Sequence, residues 1–222
     1  MNSTGNDIVS LNAINKTRTL QSGFYSKILS PTEKILFDET EFAKIPFENF
    51  VWLLWSVKES AYKYLQRIKH GLTFSPIKFE VKHMLAPIGY AFTNFDTTQT
   101  EGDGFDYLDV FKGTVTFGPY TLFSRSIIYK ELIVSVVNHN ENFDNISWGI
   151  KRIEKCDPDY QSIAVRVFLV NRLSALFQDD NLTIGKNRQG IPVVLKGSEE
   201  LTIPVSISHH DHLVAYSYAF SG

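Results

Sequence analysis

A single cysteine, Cys156, stands in 222 residues. That scarcity excludes an intramolecular disulfide framework and any zinc site built from several cysteines, and it fits a reducing compartment such as the cytoplasm. Excess charge of either sign is lacking too: 22 Lys and Arg against 24 Asp and Glu leave a net charge of −2, with a pI of about 6.3. This balance argues against broad binding to a nucleic-acid backbone, so an anionic ligand has to be met by a local cationic patch. No apolar run is long enough to span a bilayer, and no basic segment followed by an apolar stretch opens the chain, so neither a membrane anchor nor a signal peptide is expected. Low-complexity tracts and short repeats are missing as well. Apolar side chains are plentiful, at 43% hydrophobic and 14% aromatic. They suffice for one substantial core or two small ones packed together.

Ser30-Pro31-Thr32-Glu33 joins an N-cap serine, a proline at the first helical position and a glutamate three residues past the cap, so a short helix is expected from there to about Phe37. A long helix is expected after Pro46, over Glu48 to Ile68, where Gly and Pro are absent and apolar residues recur at helical spacing. Short β-prone runs follow at Ile77 to Val81, Tyr107 to Phe117 and Ile127 to Val137, which read as antiparallel strands. Between them, Thr93 to Gly104 reads as an exposed polar loop. Asp157-Pro158 announces a second long helix, Tyr160 to Gln178, with Ile163, Val167, Val170 and Leu173 forecast as its core stripe beside Ala164 and Phe168. Short β-prone pieces close the chain at Leu182 to Ile184, Ile191 to Leu195, Val205 to Ser208 and Leu213 to Phe220.

Three clusters carry polar groups suited to chemistry. In Gly5-Asn6-Asp7-Ile8-Val9 an aspartate sits at the start of an apolar run, a place where a turn or capping aspartate is common. In Trp55-Ser56-Val57-Lys58-Glu59-Ser60-Ala61-Tyr62-Lys63, helical spacing puts Trp52, Ser56, Glu59 and Lys63 on one face, while Leu54, Val57, Ala61 and Leu65 take an apolar one. Taken alone, Glu59 and Lys63 make an ordinary i,i+4 ion pair worth a few tenths of a kcal/mol. Val205-Ser206-Ile207-Ser208-His209-His210-Asp211-His212 gathers half of the six histidines. Neighbouring side chains of an extended chain point to opposite faces, so this run does not build a compact metal site by itself. No glycine elbow surrounds Ser206 or Ser208, which disfavours a serine nucleophile.

In order, these clusters resemble the signatures of the 4′-phosphopantetheinyl transferase superfamily: Gly-x-Asp-Ile, Trp-Ser-x-Lys-Glu-x-x-x-Lys and Ser-x-Ser-His. Gly190-Ile191-Pro192, shortly before the last motif, is similar to the family's Gly-x-Pro, and Ser30 to Glu33 resembles the helix start of its holo-acyl-carrier-protein synthase branch. The resemblance implies transfer of 4′-phosphopantetheine from coenzyme A to a serine of an apo acyl or peptidyl carrier protein, releasing 3′,5′-ADP, as in fatty-acid or polyketide biosynthesis. It implies Mg²⁺, or Mn²⁺, on Asp7 and Glu59, with Glu59 and Lys63 catalytic. Coenzyme A would be held by Lys58, Lys186, Gly190, Ile191, Pro192, Ser208 and His209. For Lys58, roughly 100° round the helix from Glu59, a structural ion pair stands as an equal reading. His210 and His212 have no assigned role and are expected as solvated loop positions.

Val9 stands where surfactin-type members carry a second acidic ligand, and Ile191 where a lysine is frequent, a cation that Lys186 or Arg188 would replace. The order of motifs is similar to that of the short synthase type, in a chain about twice as long. The expected fold is therefore α+β, a pseudo-twofold pair of subdomains, each a long helix on a small antiparallel sheet. Residues 1–123 would form the metal half and residues 124–222 the coenzyme-clamping half, in permuted order within a monomer. A non-catalytic coenzyme A or carrier-protein binding module of the same fold is the alternative.

Overall fold

The computed structural model describes residues 3–38, 42–105 and 109–220. It is an α+β structure. The first strand, β1 (Gly5–Ser10), leads through two single-turn helices, α1 (Lys16–Thr19) and α2 (Ser22–Tyr25), to α3 (Pro31–Asp38) and the long α4 (Phe47–Gln66). Then come β2 (Glu80–Leu85), β3 (Gln99–Asp103), β4 (Phe111–Phe117), β5 (Tyr120–Ile128), β6 (Leu132–Asn138) and β7 (Ile146–Arg152). The second long helix, α5 (Pro158–Phe177), precedes β8 (Leu182–Lys186), β9 (Pro192–Lys196), β10 (Glu199–Leu201), β11 (Val205–His210) and β12 (Leu213–Ala219). One sheet has the order β1-β6-β5-β4-β2, another β11-β12-β7-β3 and a third β10-β9-β8. Every pairing is antiparallel.

The α3 start forms as the sequence indicates. Glu33 N donates to Ser30 Oγ at 3.2 Å, and Ser30 N donates back to Glu33 Oε2 at 2.7 Å, a complete capping box. The forecast apolar face of α4 is fully buried: Leu54, Val57, Ala61 and Leu65 pack with Val9, Ile133 and Val137 of the sheet. Each large aliphatic side chain there contributes about 1.5–3 kcal/mol. Gly5 lets β1 lie directly against α4, since a Cβ at this position would collide with the Ser60 carbonyl oxygen and approach Tyr64 N to 2.7 Å.

Several elements differ from expectation. Ile127 to Val137 is two strands, because Tyr129 to Glu131 turn the chain between β5 and β6; Tyr129 N donates to Leu132 O at 2.9 Å. The supposed loop Thr93 to Gly104 contains β3, which pairs with β7. Ile77 lies in a 3-10 turn, and the strand there is β2. Tyr107, the expected start of another strand, lies outside the described residues. On α5 the forecast core stripe holds in part: Leu173 and, beside it, Phe168 are buried, whereas Ile163 and Val167 are 63% and 51% exposed and Val165 and Leu169 complete the buried face. This helix is apolar on most sides, so hydrophobicity alone does not choose its inner face. The boundary between residues 123 and 124 falls inside β5.

The first two sheets meet along β1 and β11 through side chains. Paired with β6 on one edge, β1 turns the N–H groups of Asn6 and Ser10 outward, where Ser206 Oγ accepts the first at 2.9 Å and His210 Nδ1 the second at 3.0 Å. Asn6 Nδ2 donates to Ser208 Oγ at 2.8 Å, and Ser10 Oγ to Asp211 Oδ2 at 3.1 Å. Two N–H groups of an otherwise unpaired strand edge are thereby satisfied.

Candidate functional site

This seam places the two ends of the chain side by side, and a cleft of about 320 Å³ opens over it. One wall is β1 and α4, which supply Asp7, Glu59, Lys63, Gln66 and Arg67. Facing them are Ser162, Val165 and Arg166 of α5, Lys186, the Gly190–Pro192 segment, and Val205 to His209 of β11. Of the residues singled out from sequence, Asp7, Glu59, Lys63, Lys186, Gly190, Ile191, Pro192, Ser208 and His209 all line it.

Asp7 is nearly buried on β1, and its main-chain oxygen accepts Ser56 Oγ at 3.4 Å. Lys63 Nζ lies 3.1 Å from Asp7 Oδ1 and 3.4 Å from Glu59 Oε1, so both carboxylates converge on one ammonium. Burial raises the Asp7 pKa to about 7, with Lys63 opposing the rise and Glu59 adding to it. Burial pulls Lys63 downward, but Asp7 and Glu59 outweigh it, and its pKa ends above the ordinary lysine value. Lys63 is therefore a fixed cation in the cleft. His209 is lowered by burial, then by the Lys63 and Arg166 charges, so the neutral imidazole dominates at pH 7.

Two oxygens already gathered about a point charge suit a hard divalent cation, which takes a few carboxylates and completes its shell with water and phosphate. Val9 shares the face of β1 that carries Asp7 but is packed into the core beneath α4, and it offers no donor. The donor set thus fits a magnesium ion held by two carboxylates.

Lys58 does not reach the cleft. Its side chain is wholly buried, with Nζ 2.7 Å from Glu33 Oε2 and donating also to Ile28 O. Burial lowers its pKa and Glu33 works against that. Of the two readings of Lys58, a coenzyme contact and a structural ion pair, the structure shows the second, anchored on the α3 capping box. His210 is also corrected: it lies half-buried in β11, accepting from Ser10 N, rather than in a solvated loop. His212 is exposed in the turn between β11 and β12.

Two cleft cations were not foreseen. Arg67, at the end of α4, donates to Pro192 O at 2.7 Å and to Val205 O, tying the helix to the opposite wall. Burial lowers its pKa to about 10, with Glu200 opposing. Arg166 donates to Ser162 O at 2.6 Å. Extending the helical face of Glu59 and Lys63 by another turn leads to Arg67; nothing in the local sequence of α5 distinguishes Arg166.

An α+β scaffold that sets two carboxylates against several cations in one cleft has the composition of a metal-assisted phosphate-handling site. Residues 3–105, which include Asp7, Glu59 and Lys63, match the family model of the 4′-phosphopantetheinyl transferase superfamily, and the match supports the family that the motifs suggested. No curated protein and no solved structure matches the chain. Among the described residues, no helix is long and apolar enough to cross a membrane.

Proposed function

We propose that the chain transfers 4′-phosphopantetheine from coenzyme A to a serine hydroxyl of an apo acyl or peptidyl carrier protein, in a magnesium-dependent reaction that releases 3′,5′-ADP. The observation that carries this reading is the single cleft in which Asp7, Glu59 and Lys63 from one end of the chain face Lys186, Gly190 to Pro192, Ser208 and His209 from the other. Asp7 and Glu59 hold the metal, which when bound neutralises the diphosphate. Glu59 accepts the proton of the carrier serine as its oxygen bonds to the pantetheine-bearing phosphorus. The bond from that phosphorus to 3′,5′-ADP breaks, and Lys63 offsets the charge that the leaving group gains. Ser208 and neutral His209 position the adenosine phosphates, with Lys186 and Arg166 supplying local positive charge. The segment from Gly190 to Pro192 lines the adenine end.

The strand orders support a pseudo-twofold origin. β1, α4, β2, β4, β5, β6 and β7, α5, β8, β9, β11, β12 follow the same succession, and β1-β6-β5 corresponds to β7-β12-β11. On this reading the metal half ends with β6 and the coenzyme half begins with β7, and one chain acts as a cytoplasmic monomer. Exposed Lys16, Arg18 and Lys27 beside the metal half are available to an acidic carrier surface.

Incubation with coenzyme A, magnesium and an apo carrier protein, followed by mass spectrometry, is expected to show one added phosphopantetheine. Coenzyme A binding without mass gain on fatty-acid, polyketide and peptide-synthetase carriers alike would instead favour a binding module.

A further inference from the structure

Beyond the cleft, another group of side chains has metal-ligand chemistry. Cys156 lies between β7 and α5, and Asp211 with His212 forms the turn between β11 and β12. One ligand atom from each comes within 4.8 Å of the other two. Zinc bonds to sulfur, nitrogen and oxygen of about 2.0–2.3 Å put tetrahedral ligands roughly 3.3–3.8 Å apart. The ligand atoms would have to approach one another by up to about 1–1.5 Å, and none of the three side chains is buried.

Two of the three ligands are oriented already. His212 Nδ1 is 3.1 Å from Ile153 O; a carbonyl only accepts, so the proton sits on Nδ1 and the Nε2 lone pair is free. That Nε2 faces Asp211, 3.9 Å from Oδ1. Asp211 is held from behind, where Oδ2 accepts the Ser10 hydroxyl at 3.1 Å and the main-chain oxygen accepts Gln161 Nε2 at 2.8 Å. An imidazole backed by a carbonyl and a carboxylate backed by a hydroxyl are the outer interactions that aim metal ligands. Neither serves the chemistry of the cleft.

The geometry points to a three-ligand site of Cys156, Asp211 and His212 for a thiophilic divalent cation of the zinc class, with water completing the tetrahedron. Cys156 binds as the thiolate and its proton passes to solvent, with no change of oxidation state. The ion would clip the segment entering α5 to the end of β11, holding together the elements that bear Arg166, Ser208 and His209. Thiolate ligation separates this site from Asp7 and Glu59, whose oxygens suit a hard cation.

The test is a titration of the reduced protein with Co²⁺, followed by Zn²⁺. Only a thiolate ligand produces sulfur-to-cobalt charge-transfer absorption in the near ultraviolet, and the chain has one cysteine. The expected result is a band that saturates at one equivalent, is bleached by Zn²⁺, persists in Glu59→Gln and vanishes in Cys156→Ser. The folded state of that variant is checked by circular dichroism. His212→Ala and Asp211→Gly, the latter keeping the left-handed turn at φ 55°, are each expected to weaken Co²⁺ binding ~10-fold or more. Absence of the band in the parent protein, or an unchanged titration midpoint in His212→Ala, would overturn the site.

Discussion

Asp7 is the residue at which stability and the proposed activity pull apart. Its folded-state pKa of about 7 lies far above the unfolded value of 3.8, so the folded state retains a proton that the unfolded chain has lost. Its contribution is fully present below pH 3.8 and is lost as pH rises through about 7. Asp7→Asn, which mimics the protonated form, is expected to raise the melting temperature at pH 8 in the absence of divalent cations while abolishing transfer. The gain should shrink as pH falls toward 4, and a lower melting temperature at pH 8 would contradict the assignment. Glu59 has the complementary signature. Glu59→Gln keeps the shape of the side chain and loses its basicity, so transfer is expected to fall about 10²–10⁴-fold with the melting curve little changed; undiminished turnover would remove Glu59 from the chemistry.

At the scale of elements, Lys58 and Glu33 join two helices through a pair that water does not reach. Removing one member of such a pair strands the other, so Lys58→Ala is expected to cost about 3–5 kcal/mol in denaturant unfolding. A loss confined to turnover with normal stability would return Lys58 to the cleft. Much of this level was legible in the sequence. The α3 capping box could be read because its bonds join near neighbours in the chain, and the α4 face because twenty residues keep a consistent apolar side. β3 was hidden by its polar residues, whose strand character comes from pairing with β7. The turn at Tyr129 to Glu131 carries no glycine or proline to announce it. The inner face of α5 was undetermined because apolar residues surround it. The motif residues of the cleft were readable one at a time, whereas Arg67 and Arg166 acquire meaning only when remote walls meet.

For the molecule as a whole, pH should act through histidines as well as Asp7. Burial is the leading cause that lowers His139, His209 and His210 below the ordinary value of 6.5. Between those lowered values and 6.5 the unfolded chain binds protons that the folded one refuses, so stability is lost as the solution is acidified through this window. Asp7 acts in the opposite sense there, and the histidine effect is therefore cleanest in Asp7→Asn. In that variant the unfolding free energy is expected to decline steadily below pH 6.5; a flat profile down to pH 5 would show that these imidazoles do not sense burial.

The seam between β1 and β11 also bears on how the protein is made. During synthesis β1 emerges well before its sheet neighbour β6, and β11 with its serines comes later still. Contacts such as Asn6 with Ser208, 202 residues apart in sequence, close a long loop, a late event in folding. Nascent chains stalled before β11 would carry Asp7, Glu59 and Lys63 with α5, Lys186 and Gly190 to Pro192, but without Ser208 and His209. The cleft is completed only once β11 has been made, so Asp7, Glu59 and Lys63 acquire Ser208 and His209 as their last neighbours.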